Sequence, residues 1–288
     1  MKLFLKICLF FFVLIKAFSE TRTDKKYLLR TNSAAKVMGR EDRKDGVHSG
    51  NRVLTRIYNH GAIGDLSSAF SGVYPIGSGH AYIFEFSPVI AASVVDANGN
   101  RKHIISDGTI GLTDDSPEGT PWSFEPLPGY ANPNQENLSM SDNVNSWPES
   151  WPNRPSDWDG EWNGQYGKYV RADQESYFVV DDYYNSEFEF WPDENDLPDS
   201  LSEDPDNHRR GLGIQLDVRG YQWNHPAAED ILIVTYWITN LGTNVLDSVV
   251  FGMYGDADVG GPSSFSDDDA WFDTENDMVF QWDHDNWS

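Results

Sequence analysis

The densest set of potential ligands in this chain is Asp256-Ala257-Asp258-Val259-Gly260-Gly261, followed by Asp267, Asp268 and Asp269. Calcium is a hard cation that takes roughly six to eight oxygens, and carboxylates at alternate residues converge on it where glycine permits a tight turn. With Asp256 as the first position, Asp258 is the third, Gly261 the sixth and Asp267 the twelfth, which are EF-hand-like offsets. The match is partial. Gly260 stands where a carboxylate or amide is expected, Asp267 is shorter than the usual glutamate, and the flanks read as strands instead of helices. The spacing predicts a β-framed acidic loop that could hold calcium. The plainer alternative is an exposed acidic connection that merely tolerates cations.

The second feature is aromatic. Trp147, Trp151, Trp158 and Trp162 fall within sixteen residues, two of them followed by proline, with Trp122 upstream and Trp191 downstream. Indoles on a stiff loop could stack on the apolar faces of sugar rings, with Asp157, Asp159, Glu161 and Asn163 at hand for hydroxyls. The other reading is that a long loop without regular hydrogen bonding needs bulky side chains to pin it to a sheet. Composition favours the pinning role, and the tryptophan count alone separates the two no further.

Catalytic signatures are sparse. The chain has no His-Glu-x-x-His and no Gly-x-Ser-x-Gly, and its seven histidines are scattered. Glu175 with Asp181 or Glu85 could form a glycosidase pair, but such enzymes need two carboxylates at a defined separation. Among 46 acidic residues some pair always looks suitable. No catalytic residue is assigned.

The start of the chain sets the compartment. Lys2 and Lys6 precede an apolar run from Ile7 to Ile15, then Ala17-Phe18-Ser19 offers a small-x-small cleavage site, the pattern of a secretory signal peptide over residues 1–19. The run is too short to span a bilayer, which needs roughly 20 residues. Cys8, the only cysteine, falls inside it, so the exported part has no disulfide and no thiolate chemistry. After Ser19 there are 18 basic and 46 acidic residues, a net charge of −28. Such a surface repels nucleic acid and anionic lipid and suits divalent cations or basic partners. With 11 Trp, 13 Tyr and 16 Phe, the composition nonetheless describes a folded protein.

The elements that must position these residues read as strands. Residues 20–50 are polar and aperiodic, a flexible lead-in, so order is expected from Asn51. Val53–Tyr58, His80–Phe86, Val89–Val95 and Arg101–Ser106 are strand candidates, the last two joined by the turn Asp96-Ala97-Asn98-Gly99. Pro88 suggests an edge or a bulge. Asp114 to Tyr166 is loop, Tyr177–Val180 a short strand, and Asp181–Asn207 an acidic loop. Beyond it, Leu212–Val218, Ile231–Thr239, Val245–Tyr254 and Met278–Trp282 alternate or run apolar as strands do. No capped amphipathic helix is visible. The fold class is mainly β, an antiparallel sandwich with long loops, with 51–180 and 208–288 as possible sub-modules. The chain stops just after a strand candidate and is expected to be the N-terminal part of a longer protein.

Several phrases carry a resemblance: Arg56-Ile57-Tyr58-Asn59-His60-Gly61-Ala62-Ile63-Gly64, Ile105-Ser106-Asp107-Gly108, Ala172–Tyr177 with Asp181-Asp182, Tyr236–Gly242, and Phe251–Gly261. Together they resemble large secreted proteins of Bacteroidota-like and related marine bacteria. Many of those continue into β-sandwich modules and end in a type IX secretion sorting domain. The resemblance implies compartment and fold, not an activity. The expectation is therefore a secreted or cell-surface β-protein with an adhesive, structural or scaffold role, calcium-stabilised if the acidic loop holds the ion. The alternative is a glycan-binding module or accessory region of a polysaccharide-degrading enzyme, with polysaccharide or other cell-surface components as partners.

Overall fold

The computed structural model describes residues 10–18, 42–64, 69–96, 98–109, 122–192, 209–260 and 268–284. The chain is mainly β, with 42% in strands and 3% in helix. In chain order the strands are β1 (Phe10–Phe18), β2 (Asp45–His48), β3 (Thr55–Tyr58), β4 (Glu85–Val95), β5 (Arg101–Asp107), β6 (Glu125–Pro126), β7 (Ser139–Met140), β8 (Gln174–Asp181), β9 (Ile214–Gln222), β10 (Ile231–Asn240), β11 (Asp247–Asp256), β12 (Asp268–Asp273) and β13 (Met278–Asp283).

One sheet runs β1-β10-β9-β8-β6, with β7 also on β8, and the other runs β11-β4-β5. β2–β3 and β12–β13 are two-stranded hairpins. The pairings are antiparallel except β1 on β10, which is parallel from Phe10 opposite Ile231 to Phe18 opposite Thr239. β1 falls inside the segment read as a signal peptide. Removing that segment would leave the outer edge of β10 unpaired.

Period-two alternation sorts the side chains. Phe178 and Val180 of β8, Ile214, Leu216 and Val218 of β9, and Leu232, Val234 and Tyr236 of β10 meet Ile90, Ala92, Val94 and Ile104 of the other sheet in one apolar core. The opposite face of β8, Tyr177 and Val179, is covered by Leu127, Tyr130, Trp151 and Trp162 from the long loop. β8 is thus buried on both faces along its whole length. The molecule is a two-sheet sandwich with an irregular third layer laid over one sheet.

Three expectations change. Ordered chain reaches into the supposed lead-in, because β2 pairs with β3 and His48 Nε2 meets Ser176 Oγ at 2.8 Å. A division into 51–180 and 208–288 would cut both sheets, since β8 pairs with β9 and β4 with β11. Pro88 lies in a central strand, but just past the end of β5, where the Pro88 carbonyl accepts the Gly108 N–H at 3.0 Å. The lost donor therefore costs no bond to β5.

Candidate functional site

The acidic corner begins where β11 ends. Asp256 is the last residue of that strand, opposite Glu85 of β4, and its carboxylate accepts the Tyr254 hydroxyl at 3.2 Å. Gly260, at φ +92°, turns the chain, and the Val259 N–H donates to Asp268 Oδ2 at 3.0 Å. Asp258 sits between them, only 8% exposed, and no hydrogen bond or ion pair to it is present among the described residues. Burial raises its carboxyl above the usual range, and the neighbouring Asp256 and Asp268 raise it further.

The remaining predicted ligands separate. Asp268 and Asp269 open strand β12, so their side chains leave on opposite faces. Asp269 Oδ2 lies 2.5 Å from His284 Nδ1. Asp267 lies outside the described residues. Among the described residues no three acidic, histidine or cysteine side chains converge as a ready-made metal shell. Of the predicted ligands, Asp256 and Asp268 lie near enough to Asp258 for their charges to act on it, without forming a metal-holding group, and Asp269 is turned to His284.

The tryptophans divide as well. Trp151 and Trp162 are each 2% exposed and pack edge to face with ring centroids 5.9 Å apart. Their indole N–H groups donate to Glu161 O at 3.0 Å and to Glu175 Oε2 at 2.7 Å. Trp147 and Trp158 are partly buried against the same cluster. Trp147 donates to Met140 O, and Trp158 carries the Arg154 guanidinium 4.3 Å above its ring. Four indoles thus seat the loop on β8, and two of them offer no ring face to solvent.

The carboxylates weighed for acid–base work are already engaged. Glu175 accepts the Arg171 and Ala172 N–H groups as well as Trp162. Asp181 pairs with Arg209 at 3.2 Å, and Glu85 accepts the Ser87 hydroxyl. Sequence reasoning passed over Asp182, which is fully buried and holds the turn into β9. It accepts Ser106 Oγ at 2.8 Å and the N–H groups of Leu212 and Ile214 at 2.6 and 2.8 Å. Gly211, at φ +63°, is required there, because a Cβ would lie 2.5 Å from the Asp182 carbonyl oxygen. Burial pushes the Asp182 carboxyl up to about 6, against the pull of Arg209 and those three donors.

A polar network also escaped the sequence reading. The Tyr177 hydroxyl donates to Asp217 Oδ1 at 2.8 Å and accepts Asn153 Nδ2 at 2.7 Å. Arg219 lies 3.7 Å from the centre of the Tyr177 ring and donates to the Asn163 carbonyl, while Arg154 donates to Asn163 Oδ1 at 2.8 Å. Burial raises both the Tyr177 hydroxyl and the Asp217 carboxyl. The signal for it was present: alternation along β8 and β9 puts Tyr177, Asp217 and Arg219 on one face. The network ties loop to sheet.

Among the described residues no helix is long and apolar enough to cross a membrane. No protein-family model matches the chain, and neither a curated protein nor a solved structure shows significant similarity to it, so the functional reading rests on these residues alone.

Proposed function

We propose that this is an exported, non-catalytic β-protein with an adhesive, structural or scaffold role, and that calcium binds at Asp258, drawing in the neighbouring carboxylates of Asp256 and Asp268. One contrast supports the calcium reading. The buried carboxylates Glu85, Glu125, Glu175, Asp181 and Asp182 each receive at least one donor, whereas Asp258 receives none and faces two further carboxylates. A buried charge without a counter-charge is costly, and a divalent cation supplies what the described side chains do not. The engagement of the other five in hydrogen bonds and ion pairs supports a framework role over acid–base work.

Thermal unfolding in millimolar calcium and in chelator tests this. At a concentration of about 100 times Kd the ion adds about 2.7 kcal/mol, and each kcal/mol raises Tm by about 2–4 °C for a chain of this size. Asp258→Asn should lose most of that rise while matching or exceeding the parent in chelator, because it removes a repelled charge. An undiminished response in Asp258→Asn would remove the ion from this corner. Mass spectrometry of protein recovered outside the cell, expected to begin at Glu20, tests export.

Glycan binding stands as a second reading because of one observation. Tyr166 is 67% exposed, Tyr169 is also exposed, and the Arg171 guanidinium lies 4.8 and 5.1 Å from the two rings. Affinity electrophoresis on a polysaccharide panel checks it. Retardation that survives both Tyr166→Ala and Trp158→Ala would leave these rings without that role.

A further inference from the structure

The end of the molecule farthest along the chain has a surface that nothing within the described residues covers. β12 and β13 pair only with each other. Trp271 stands opposite Phe280 and Asp269 opposite Trp282 on one face, and Phe272 stands opposite Val279 on the other. Both faces are apolar and open: Trp271 is 67% and Val279 68% exposed, and Phe272 and Trp282 are exposed too. A two-stranded hairpin alone in water is marginal at best, and contiguous exposed apolar surface marks an interaction site.

Charge says what covers it. The sequence from Gly220 to Ser288 holds 13 acidic residues and no lysine or arginine. Six of those acids, Asp268, Asp269, Asp273, Glu275, Asp277 and Asp283, lie on the hairpin or at its tip. His284, against Asp269, is the one titratable base beside them. A second copy laid on this surface would set like charges opposite one another, which destabilises pairing. The molecule itself shows what a tryptophan beside an aspartate accepts. At Asp157-Trp158, Lys168 Nζ is 2.6 Å from the Asp157 carboxylate and 5.7 Å from the Trp158 ring centre, with Arg154 stacked on the same ring. Asp269, Trp271 and the cross-strand Trp282 again set a carboxylate and indoles on one face, with His284 on Asp269 and no lysine or arginine in this stretch of chain.

We propose that the Trp271–Trp282 face of this hairpin docks a basic polypeptide segment in extended conformation. Alternate apolar residues would cover the aromatic rings, and the intervening lysine or arginine side chains would stack on the indoles and neutralise the flanking carboxylates. This does not rest on the calcium reading, and the test is run in chelator to keep the two apart.

Fluorescence anisotropy with labelled peptides of about ten residues tests it, using alternating Lys-Val, Ser-Val and Lys-Ser sequences. The Lys-Val peptide should bind the whole chain, and raising salt from about 50 to about 300 mM should weaken it strongly. The double substitution Trp271→Ala, Trp282→Ala should weaken it about tenfold or more with an unchanged circular dichroism spectrum. Equal binding of Ser-Val would overturn the charge requirement, and equal binding of Lys-Ser the apolar one. Lys-Val affinity unaffected by the double substitution would place the contact elsewhere on an acidic surface. Sedimentation showing a dimer that the double substitution dissolves would make a second copy the occupant and overturn the proposal.

Discussion

The loop-covered side of β8 and the β11–β13 end are made from the same residue types, tryptophan and aspartate above all, and use them in opposite ways. Over β8, the indole N–H groups of Trp147, Trp151 and Trp162 have acceptors and the buried carboxylates have donors: Trp162 donates a hydrogen bond to Glu175, and Asp182 collects three donors around the turn into β9. Arg43, Arg154, Arg209 and Arg219 are interleaved there. The chain from β11 to β13 supplies no arginine or lysine of its own, Arg101 of β5 meeting Asp247 at the start of β11, while the rings of Trp271 and Trp282 face outward and Asp258 is buried without a donor. The difference teaches that acidity and aromatic content do not by themselves decide between core and surface. The supply of donors does. Where they are present, a negative chain folds its acids inward as clasps, and where they are absent the same acids become a repelling rim around an apolar face.

The largest effect expected from breaking this contrast is at Trp162. Trp162→Ala removes a ring from the second core and strips Glu175 of a donor, which should cost about 3–5 kcal/mol in denaturant unfolding. Trp162→Phe keeps much of the ring but not the N–H, and should cost about 1–3 kcal/mol. A loss below about 1 kcal/mol for the alanine variant would mean that the loop layer is not seated on β8 as described.

The parts of this design legible in sequence are those fixed by near neighbours. The turn joining β4 and β5 was readable because Asp96 accepts the N–H groups of Asn98 and Asn100 and Gly99 takes φ +82°. β9 and β10 were readable because burial on one or both faces writes a period into the residues. β2 was not: Asp45-Gly46-Val47-His48 has little strand character, and its place depends on Ser176 and on Gln174, whose side chain accepts the Ser49 and Gly50 N–H groups. β12 was hidden by its opening aspartates, which resemble a ligand loop until Trp271 is seen across from Phe280. The tryptophan cluster was visible, but not which members lie inside, because that is set by acceptors such as Glu175 that the sequence does not place beside them.

An acid titration sharpens the same contrast at a somewhat smaller cost. His48 and His60, the buried histidines among the described residues, both belong to the clasped part of the molecule. Burial lowers the His48 imidazole to about 4, from an ordinary value of 6.5. As pH falls from 6.5 toward 4 the unfolded chain takes the proton first, so the stability that neutral His48 contributes above that window is lost within it. The free-energy difference between the parent and His48→Gln should therefore shrink by about 2 kcal/mol between about pH 7 and about pH 4.5. Asp182, raised to about 6, works the other way, gaining stability as pH falls through its own window, but it is present in both proteins and cancels in the difference. A pH-independent difference would mean that His48 meets solvent.

The smallest effect should come from the ring that looks most like a core residue. Trp271 is as bulky as Trp162, yet two thirds of it is in contact with water, so folding removes little of its surface from solvent and little transfer free energy is gained. Trp271→Ala should change unfolding free energy by no more than about 0.5 kcal/mol in either direction, about a tenth of the largest change expected at Trp162. Unfolding in urea, with the two variants compared at equal m-value, measures both. If Trp271→Ala costs more than about 1 kcal/mol, the hairpin is held against the body by its aromatic face and the contrast between the two ends fails. If the small effect is found, the ring contributes nothing appreciable to folding, and any loss of peptide binding on its removal is a property of the surface rather than of a damaged fold.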